Sequence, residues 1–537
     1  MSRYLLAIML LSGSFKPAGA ALPETRAEIS EYRQTSSLQD VLQFFKELQK
    51  QKYPISVEFI GSSPRGRRIP MVICSRPLIT SPESARKLGR PIVYIQANIH
   101  GGEVEGKEAV QMILRDRLQE PPGGILDKIV LLVVPVFNID GNEALGPQEN
   151  NRSRQNGPQQ VGERANGQGF DLNRDYVKLE SPEVKASLQH IFNEWDPEVF
   201  IDLHATNGTI HGYQLTHSPQ LNPNTEASIL HFTRDRLLPK VRALLDRRYG
   251  LKTFDYGNLS RTSDEPAWYT NDPNPRYGTN YVGLRNRISI LSEAMSYLSF
   301  EDRVVVTCRF VNVILDEVAG QGAEIVELTR RADLRVTNWG KEPQTAPAMG
   351  VRFDFEEIGQ QEIPLEKSDT PGRRPRSSAP AAPEHFVKVK MPIFDRFKPT
   401  RTARYPAAYA IPSDLPEVVG LLRLHGIEVR RLVADWRCPT EAFVVEEIAK
   451  ATRVFQGHNI NRLEGHFEVT ESSLSSGDYV VVTAQPLGVL IFQLLEPESL
   501  DGLAAWNFLD QKIGLNKHYP ILKMLKPLNC PTEIVGN

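Results

Sequence analysis

The sequence predicts an α/β fold, a mixed central sheet flanked by helices, followed by a smaller β-rich domain. Three observations carry this expectation. From about residue 55 to 330, short Ile- and Val-rich runs alternate with segments whose apolar residues recur at helical spacing. The runs at 92–96, 129–135 and 199–203 have little polar alternation, as strands buried on both faces do. After about residue 340 the alternation gives way to a stretch rich in Pro, Ser, Arg and Ala, and then to short β-like runs.

In chain order, residues 1–20 place Arg3 before the apolar run Tyr4–Leu11 and the small residues Ala18-Gly19-Ala20, the layout of a signal peptide. The run is too short to span a bilayer, so a secreted or periplasmic protein is expected. Strands are expected at Ile55–Ile60, Ile69–Cys74, Ile92–Gln96, Ile129–Pro135, Val199–Leu203 and Ile288–Leu291. Helices are expected at Val104–Leu118, Pro182–Glu194, Thr225–Arg247 and Phe300–Glu317. These elements form a first domain over 21–340. Residues 341–386 read as a linker, because Glu366–Glu384 has almost nothing to bury. A β-rich domain then occupies 387–537, with β-like runs at Tyr479–Thr483 and Gly488–Leu494 and a helix-like segment at Asp414–His425.

A chain of 537 residues is too long for one compact core. Its apolar (40 %) and charged (24 %) contents are close to globular averages, and a formal charge of −2 gives no pull toward nucleic acid or anionic membranes. No later segment reaches membrane-spanning length. Composition therefore points to small-molecule or peptide partners. Four cysteines are too sparse for a disulfide framework or a thiolate zinc site, although export would permit a bond between Cys438 and Cys530.

The chemistry begins where the run Ile92–Gln96 leads into Asn98-Ile99-His100-Gly101-Gly102-Glu103. An imidazole and a carboxylate three residues apart, with two glycines to turn the backbone, can chelate zinc. About a hundred residues later, Val199–Leu203 delivers His204 within Asp202-Leu203-His204-Ala205-Thr206. In open α/β sheets, sites form at the carboxyl ends of strands. Two histidines and one glutamate hold one metal and leave a fourth position for water, as a catalytic zinc requires.

Between these strands lies Gly169-Phe170-Asp171-Leu172-Asn173-Arg174. With His-Gly-Gly-Glu, Asn138-Ile139-Asp140-Gly141, Asp-Leu-His and a late glutamate in the same order, the chain resembles, over roughly residues 25–330, the zinc carboxypeptidases related to carboxypeptidase A. The β-rich end is similar to an appendage found in a bacterial secreted subset of them. The resemblance implies a zinc-dependent enzyme that hydrolyses C-terminal peptide bonds. It implies Asn173 and Arg174 as the grip on the substrate carboxylate, a task suited to a guanidinium fork. Asp171 matches the carboxylate that orients the first zinc histidine.

Glu293, ending the β-type run Ile288-Ser289-Ile290-Leu291-Ser292-Glu293, matches the general base that takes a proton from the attacking water. A cationic donor beside the carbonyl oxygen is expected at Arg164, with Arg152 and Arg154 as rivals. The tyrosine that caps bound substrate is expected at Tyr269, with Tyr277 and Tyr281 in competition, and Arg285 and Arg287 leave side-chain preference open. Two further enzymes fit the same zinc site, a hydrolase of cell-wall peptides bearing D-amino acids and an N-acyl amino acid deacylase. A different class, an inert carbohydrate- or protein-binding module, is disfavoured because ligands and base are all present.

Overall fold

The computed structural model describes residues 21–260, 265–367, 386–527 and 529–536. The leader-like residues 1–20 and most of the Pro-rich stretch, 368–385, lie outside them. An eight-stranded mixed sheet organises the first part of the chain. Its strand order is Ile55–Ser62, Arg68–Cys74, Val130–Val134, Ile92–Ala97, Val199–Ala205, Ile288–Ala294, Leu215–Pro219 and Thr253–Asp255. The four strands from Val130–Val134 to Ile288–Ala294 run parallel. Every residue of Ile92–Ala97, Val199–Ala205 and Ile288–Ala294 is buried, as their unbroken apolar runs require.

The expected helices appear close to their predicted limits, at Glu105–Leu118 and Phe300–Gly320. The segment 182–194 forms a helix over Pro182–Ser187, capped by the Ser181 side chain, and continues as a wide π-type turn over Leu188–Phe192. The segment 225–247 likewise holds a π-type turn between two α-helical pieces, and the second piece stops at Gly250, whose φ of 65° suits glycine. Among the described residues no helix is long and apolar enough to cross a membrane.

Register is the part of the fold that matters for chemistry. Ala97 pairs with Leu203, and Glu293 pairs with His204. The three adjacent parallel strands therefore end at one edge of the sheet, where each hands over to a segment bearing a polar residue singled out by the sequence.

The C-terminal region carries a seven-stranded sheet whose longest pair is the hairpin Trp436–Lys450 and Asn461–Leu474. Three differences from the sequence reading have physical causes. Residues Gly488–Leu495 form a helix instead of a β-like run. All eight are buried, and a short run that is apolar but for Gln493 has no periodicity to separate helix from strand. Within 341–386, strands Met349–Glu356 and Gln360–Glu366 pair with Arg396–Ala403 and Phe386–Phe394, partners that lie beyond the Pro-rich stretch and out of reach of a local reading. Cys438 and Cys530 are free thiols packed in the same small apolar cluster.

One apolar cluster runs from Ala27 to Ile521, so the two parts of the chain share a core. Within the first part, Arg287 is 6 % exposed. Its guanidinium lies 2.5 Å from Asp196, beside the central sheet, and 2.9 Å from Asp333 on helix Gly322–Lys341. Burial raises the Asp196 carboxyl, yet the Arg287 charge holds it below its ordinary value. Replacing Arg287 by alanine leaves two carboxylates uncompensated. The expected loss is about 2–3 kcal/mol, at the low end for a broken buried pair because Asp196 still meets water. Chemical denaturation measures it, and an unchanged midpoint would show that this ion cluster adds no net stability.

Candidate metal centre

The loop after strand Ile92–Ala97 is knotted by its first residue. Asn98 adopts φ 60°, a left-handed conformation that asparagine tolerates, and its Nδ2 donates to the carbonyls of His100 (3.1 Å), Gly101 (3.2 Å) and Glu103 (3.0 Å). Gly101 is obligatory in this loop. A Cβ there would lie 2.3 Å from the Gly141 carbonyl carbon and 2.5 Å from the Glu163 oxygen.

The loop brings His100 and Glu103 beside His204 at the end of strand Val199–Ala205. Among the described residues these three form the group that could hold a metal ion, with one ligand atom from each lying within 4.8 Å of the others. Glu103 is the hub. Its Oε1 is 3.0 Å from His100 Nδ1, and its Oε2 is 2.9 Å from His204 Nδ1. The opposite nitrogens face carboxylates: His100 Nε2 lies 3.0 Å from Asp171 Oδ1, and His204 Nε2 lies 2.9 Å from Asp202 Oδ2. A carboxylate behind each ring favours a proton on Nε2, which leaves both Nδ1 lone pairs directed at Glu103. That donor set, two imidazoles and one carboxylate, fits zinc with a position left open.

Charge is tightly balanced here. Burial raises the Glu103 carboxyl, but His100 and Arg152 hold it well below the usual carboxylate range. Burial lowers His204, while Asp202 and Glu103 raise it more strongly, so the pocket favours a positive charge at this position. A metal cation replaces that proton on binding. Arg152 Nη1 donates to Glu103 Oε1 at 2.9 Å, and its Nη2 donates to the carbonyls of Ala205 and Thr206.

A cavity of about 220 Å3 opens on the three residues and is also lined by Arg164, Asn173, Arg174, Tyr256, Asp272, Tyr277 and Glu293. Glu293 is 8 % exposed, and its Oε2 has no hydrogen-bond partner. Burial pushes its carboxyl up to about 8, with His204 opposing and Glu103 adding to the rise. Arg164 donates from Nε and Nη2 to Asp171 Oδ2 (3.0 and 2.7 Å), and its Nη1 lies 3.2 Å from His100 Nδ1. Arg174 stacks over the Tyr277 ring at 4.2 Å, and the Tyr277 hydroxyl donates to Asp272 Oδ2 at 3.0 Å.

The structure thus brings together His100, Glu103, His204, Glu293, Arg164, Asn173, Arg174, Asp171 and Tyr277. Of the rival arginines, Arg152 is bound to Glu103, and Arg154 lies in a neighbouring depression with its Nη1 on the Asn207 carbonyl. Tyr269 does not line the cavity. Its strand pairs with Phe386–Phe394, and its ring stacks on Phe394 at 4.5 Å. Tyr281 is fully buried, and its hydroxyl meets His425 Nδ1 at 2.8 Å. Arg285 and Arg287 are buried away from the cavity. Sequence reasoning missed Tyr256 and Asp272, which no local pattern marks. It also missed a second-layer partner in Asp202, which its i, i+2 spacing to His204 along one strand face could have revealed.

Residues 41–272 match the family model described as zinc carboxypeptidase, a span that holds His100, Glu103 and His204 and ends before Glu293. The chain is similar to carboxypeptidase 2 of Trichophyton rubrum, 23 % identical over 486 residues covering 86 % of this chain and 81 % of that protein. Carboxypeptidase 2 of Trichophyton equinum is 24 % identical over 484 residues, with the same coverage. Solved structures with partial similarity include a metallo-carboxypeptidase from Burkholderia cenocepacia (TM-score 0.39, 15 % identity, 53 % of this chain and 70 % of that one). Bovine thrombin-activatable fibrinolysis inhibitor is another (TM-score 0.39, 15 % identity, 55 % of this chain and 99 % of that one).

The carboxylates behind the histidines have a measurable consequence. Asp171→Asn and Asp202→Asn each remove a charge that orients one ring, and each is expected to weaken zinc binding roughly 10–100-fold. Competition with a chromophoric chelator measures the affinity. Zinc held as tightly in both variants as in the unmodified protein would remove these residues from the site.

Proposed function

We propose, on the premise that this chain is a metallocarboxypeptidase with a zinc carboxypeptidase domain over residues 41–272, that it releases residues from free peptide C-termini. One zinc per chain is held by His100, Glu103 and His204. When bound, zinc polarises the scissile carbonyl and makes water a better nucleophile. Glu293, which lines the cavity, accepts the proton of the attacking water and returns it to the leaving amine. Arg164, fixed by two bonds to Asp171, turns Nη1 toward the carbonyl oxygen as negative charge develops. Arg174 and Asn173 take the terminal carboxylate, and Tyr277, stacked against Arg174, closes over the bound residue.

The observation that carries this reading is the shared cavity. A guanidinium suited to a carboxylate lies in the same pocket as a buried glutamate with a free oxygen and three metal-binding side chains. An endopeptidase or a simple esterase has no use for Arg174 at the end of that pocket. Export belongs to the same proposal, supported by the leader-like residues 1–20. Exported protein is then expected to begin after residue 20, and N-terminal sequencing that starts at Met1 would contradict it.

Glu293 and Arg174 are assigned to different steps and should fail differently. Glu293→Gln keeps the size of the side chain but accepts no proton, so turnover is expected to fall about 10²–10⁴-fold with zinc content unchanged. Arg174→Ala is expected to raise KM for a free-acid peptide roughly 10–100-fold, and to matter little for the amidated peptide, which has no carboxylate. Equal damage on both substrates would point to an endopeptidase, esterase or deacylase instead. A peptide set with L- and D-configured ends, run beside N-acyl amino acids, identifies the acceptable substrate.

A further inference from the structure

The β-rich C-terminal region touches the turn that carries Asn173 and Arg174 at a defined place. Where strands Trp436–Lys450 and Asn461–Leu474 approach their connection, Phe455 and His458 exchange backbone hydrogen bonds of 2.8 and 3.0 Å across Gln456-Gly457. Both central residues take positive φ, 51° and 82°. This two-residue turn favours Asn-Gly, because asparagine tolerates the left-handed region and glycine is unrestricted there. Glutamine is a poorer occupant of the first position, and local strain of this kind is kept where something depends on it.

What depends on it is a hydrogen bond. Gln456 Oε1 accepts the backbone N–H of Asp171 at 3.0 Å. Asp171 begins the tight turn Leu172–Arg174, and its own Oδ1 accepts the Asn173 N–H at 3.0 Å. Beside it, His458 Nε2 lies 2.8 Å from Glu180 Oε1. The Tyr277 wall, against which Arg174 stacks, is held from the same patch. Arg276, immediately before Tyr277, donates its backbone N–H to Asp501 Oδ2 at 2.6 Å, and its guanidinium lies over the Phe455 and Trp506 rings. Turn 455–458 and Asp501 thus secure the Arg174 wall and the Tyr277 wall together.

We infer that Gln456 is a positioning residue for substrate binding, fixing through the Asp171 amide the turn that presents Asn173 and Arg174 to a carboxylate. The C-terminal region thus supports the cavity from behind, through the residues that precede Leu172 and Tyr277. The inference rests on the reading of Asn173 and Arg174 as the carboxylate grip.

Two substitutions in the full-length zinc enzyme test it. Gln456→Asn suits the turn better but is one methylene too short to reach Asp171, and Gln456→Met keeps the length and loses the acceptor. For a free-acid peptide, both are expected to raise KM about 3–10-fold with kcat within about two-fold, the cost of one hydrogen bond in binding. Gln456→Asn is expected to do so with Tm unchanged or raised. A contact that merely supports the fold would lower Tm in both variants and leave KM alone, and that result, or an unchanged KM in Gln456→Asn, overturns the inference. Should the unmodified enzyme cleave amidated and free-acid peptides equally, the carboxylate grip itself fails and the role of Gln456 fails with it. A preserved free-acid preference with no effect of either substitution overturns the Gln456 role alone.

Discussion

A single buried carboxylate sets the terms for the rest of this site. Glu103 is 3 % exposed, and an ionised carboxylate at that depth costs several kcal/mol unless its oxygens are matched. The Arg152 guanidinium and the Ala205 N–H donate to it, and its oxygens face the two imidazole Nδ1 atoms, the position a metal cation would share. The match propagates outward. Arg152 can serve Glu103 only by also holding the Ala205 and Thr206 carbonyls, and each imidazole needs a second carboxylate behind it. The loop 98–104, the end of the 199–205 strand and the segment around 152 are locked together by one charge.

The open side of this lattice is where chemistry is possible. Glu293 Oε2 has no hydrogen-bond partner, and neither do Asp202 Oδ2 and His204 Nε2 beside it. An unpartnered carboxylate oxygen in a dry pocket is unfavourable in a resting protein and useful in one that must receive a proton. The same pocket keeps Arg164 bonded along one edge, so that one amino group remains directed at the histidine pair. Preorganised donors and acceptors of this kind need little rearrangement when charge develops, which is the main electrostatic advantage of an enzyme site over water.

How much of this could be read in the chain depended on distance along it. The His100 loop, the Asp171–Arg174 turn and the placement of Glu293 are written in spacings of a few residues next to long apolar runs, and the parallel sheet converts those spacings into proximity. Tyr269 illustrates the opposite case. Its distance from Glu293 suited a capping role, yet its ring is claimed by Phe394, whose strand lies more than a hundred residues away. Tyr256 and Asp272 reach the cavity through irregular backbone, for which hydrophobic periodicity has no signal. The helix Gly488–Leu495 was ambiguous for a different reason, since complete burial erases the polar face by which a helix is recognised.

The shared core has a bearing on the order in which the molecule becomes competent during synthesis. Because the chain emerges N-terminus first, His100, Glu103, His204 and Glu293 all exist before Gln456, Asp501 and Trp506 have been made. Until those last residues arrive, the turn bearing Arg174 lacks its Gln456 anchor and Arg276 has no Asp501 to hold it. Because the core is shared as well, a peptide-cutting pocket with both walls secured becomes available only near the end of translation.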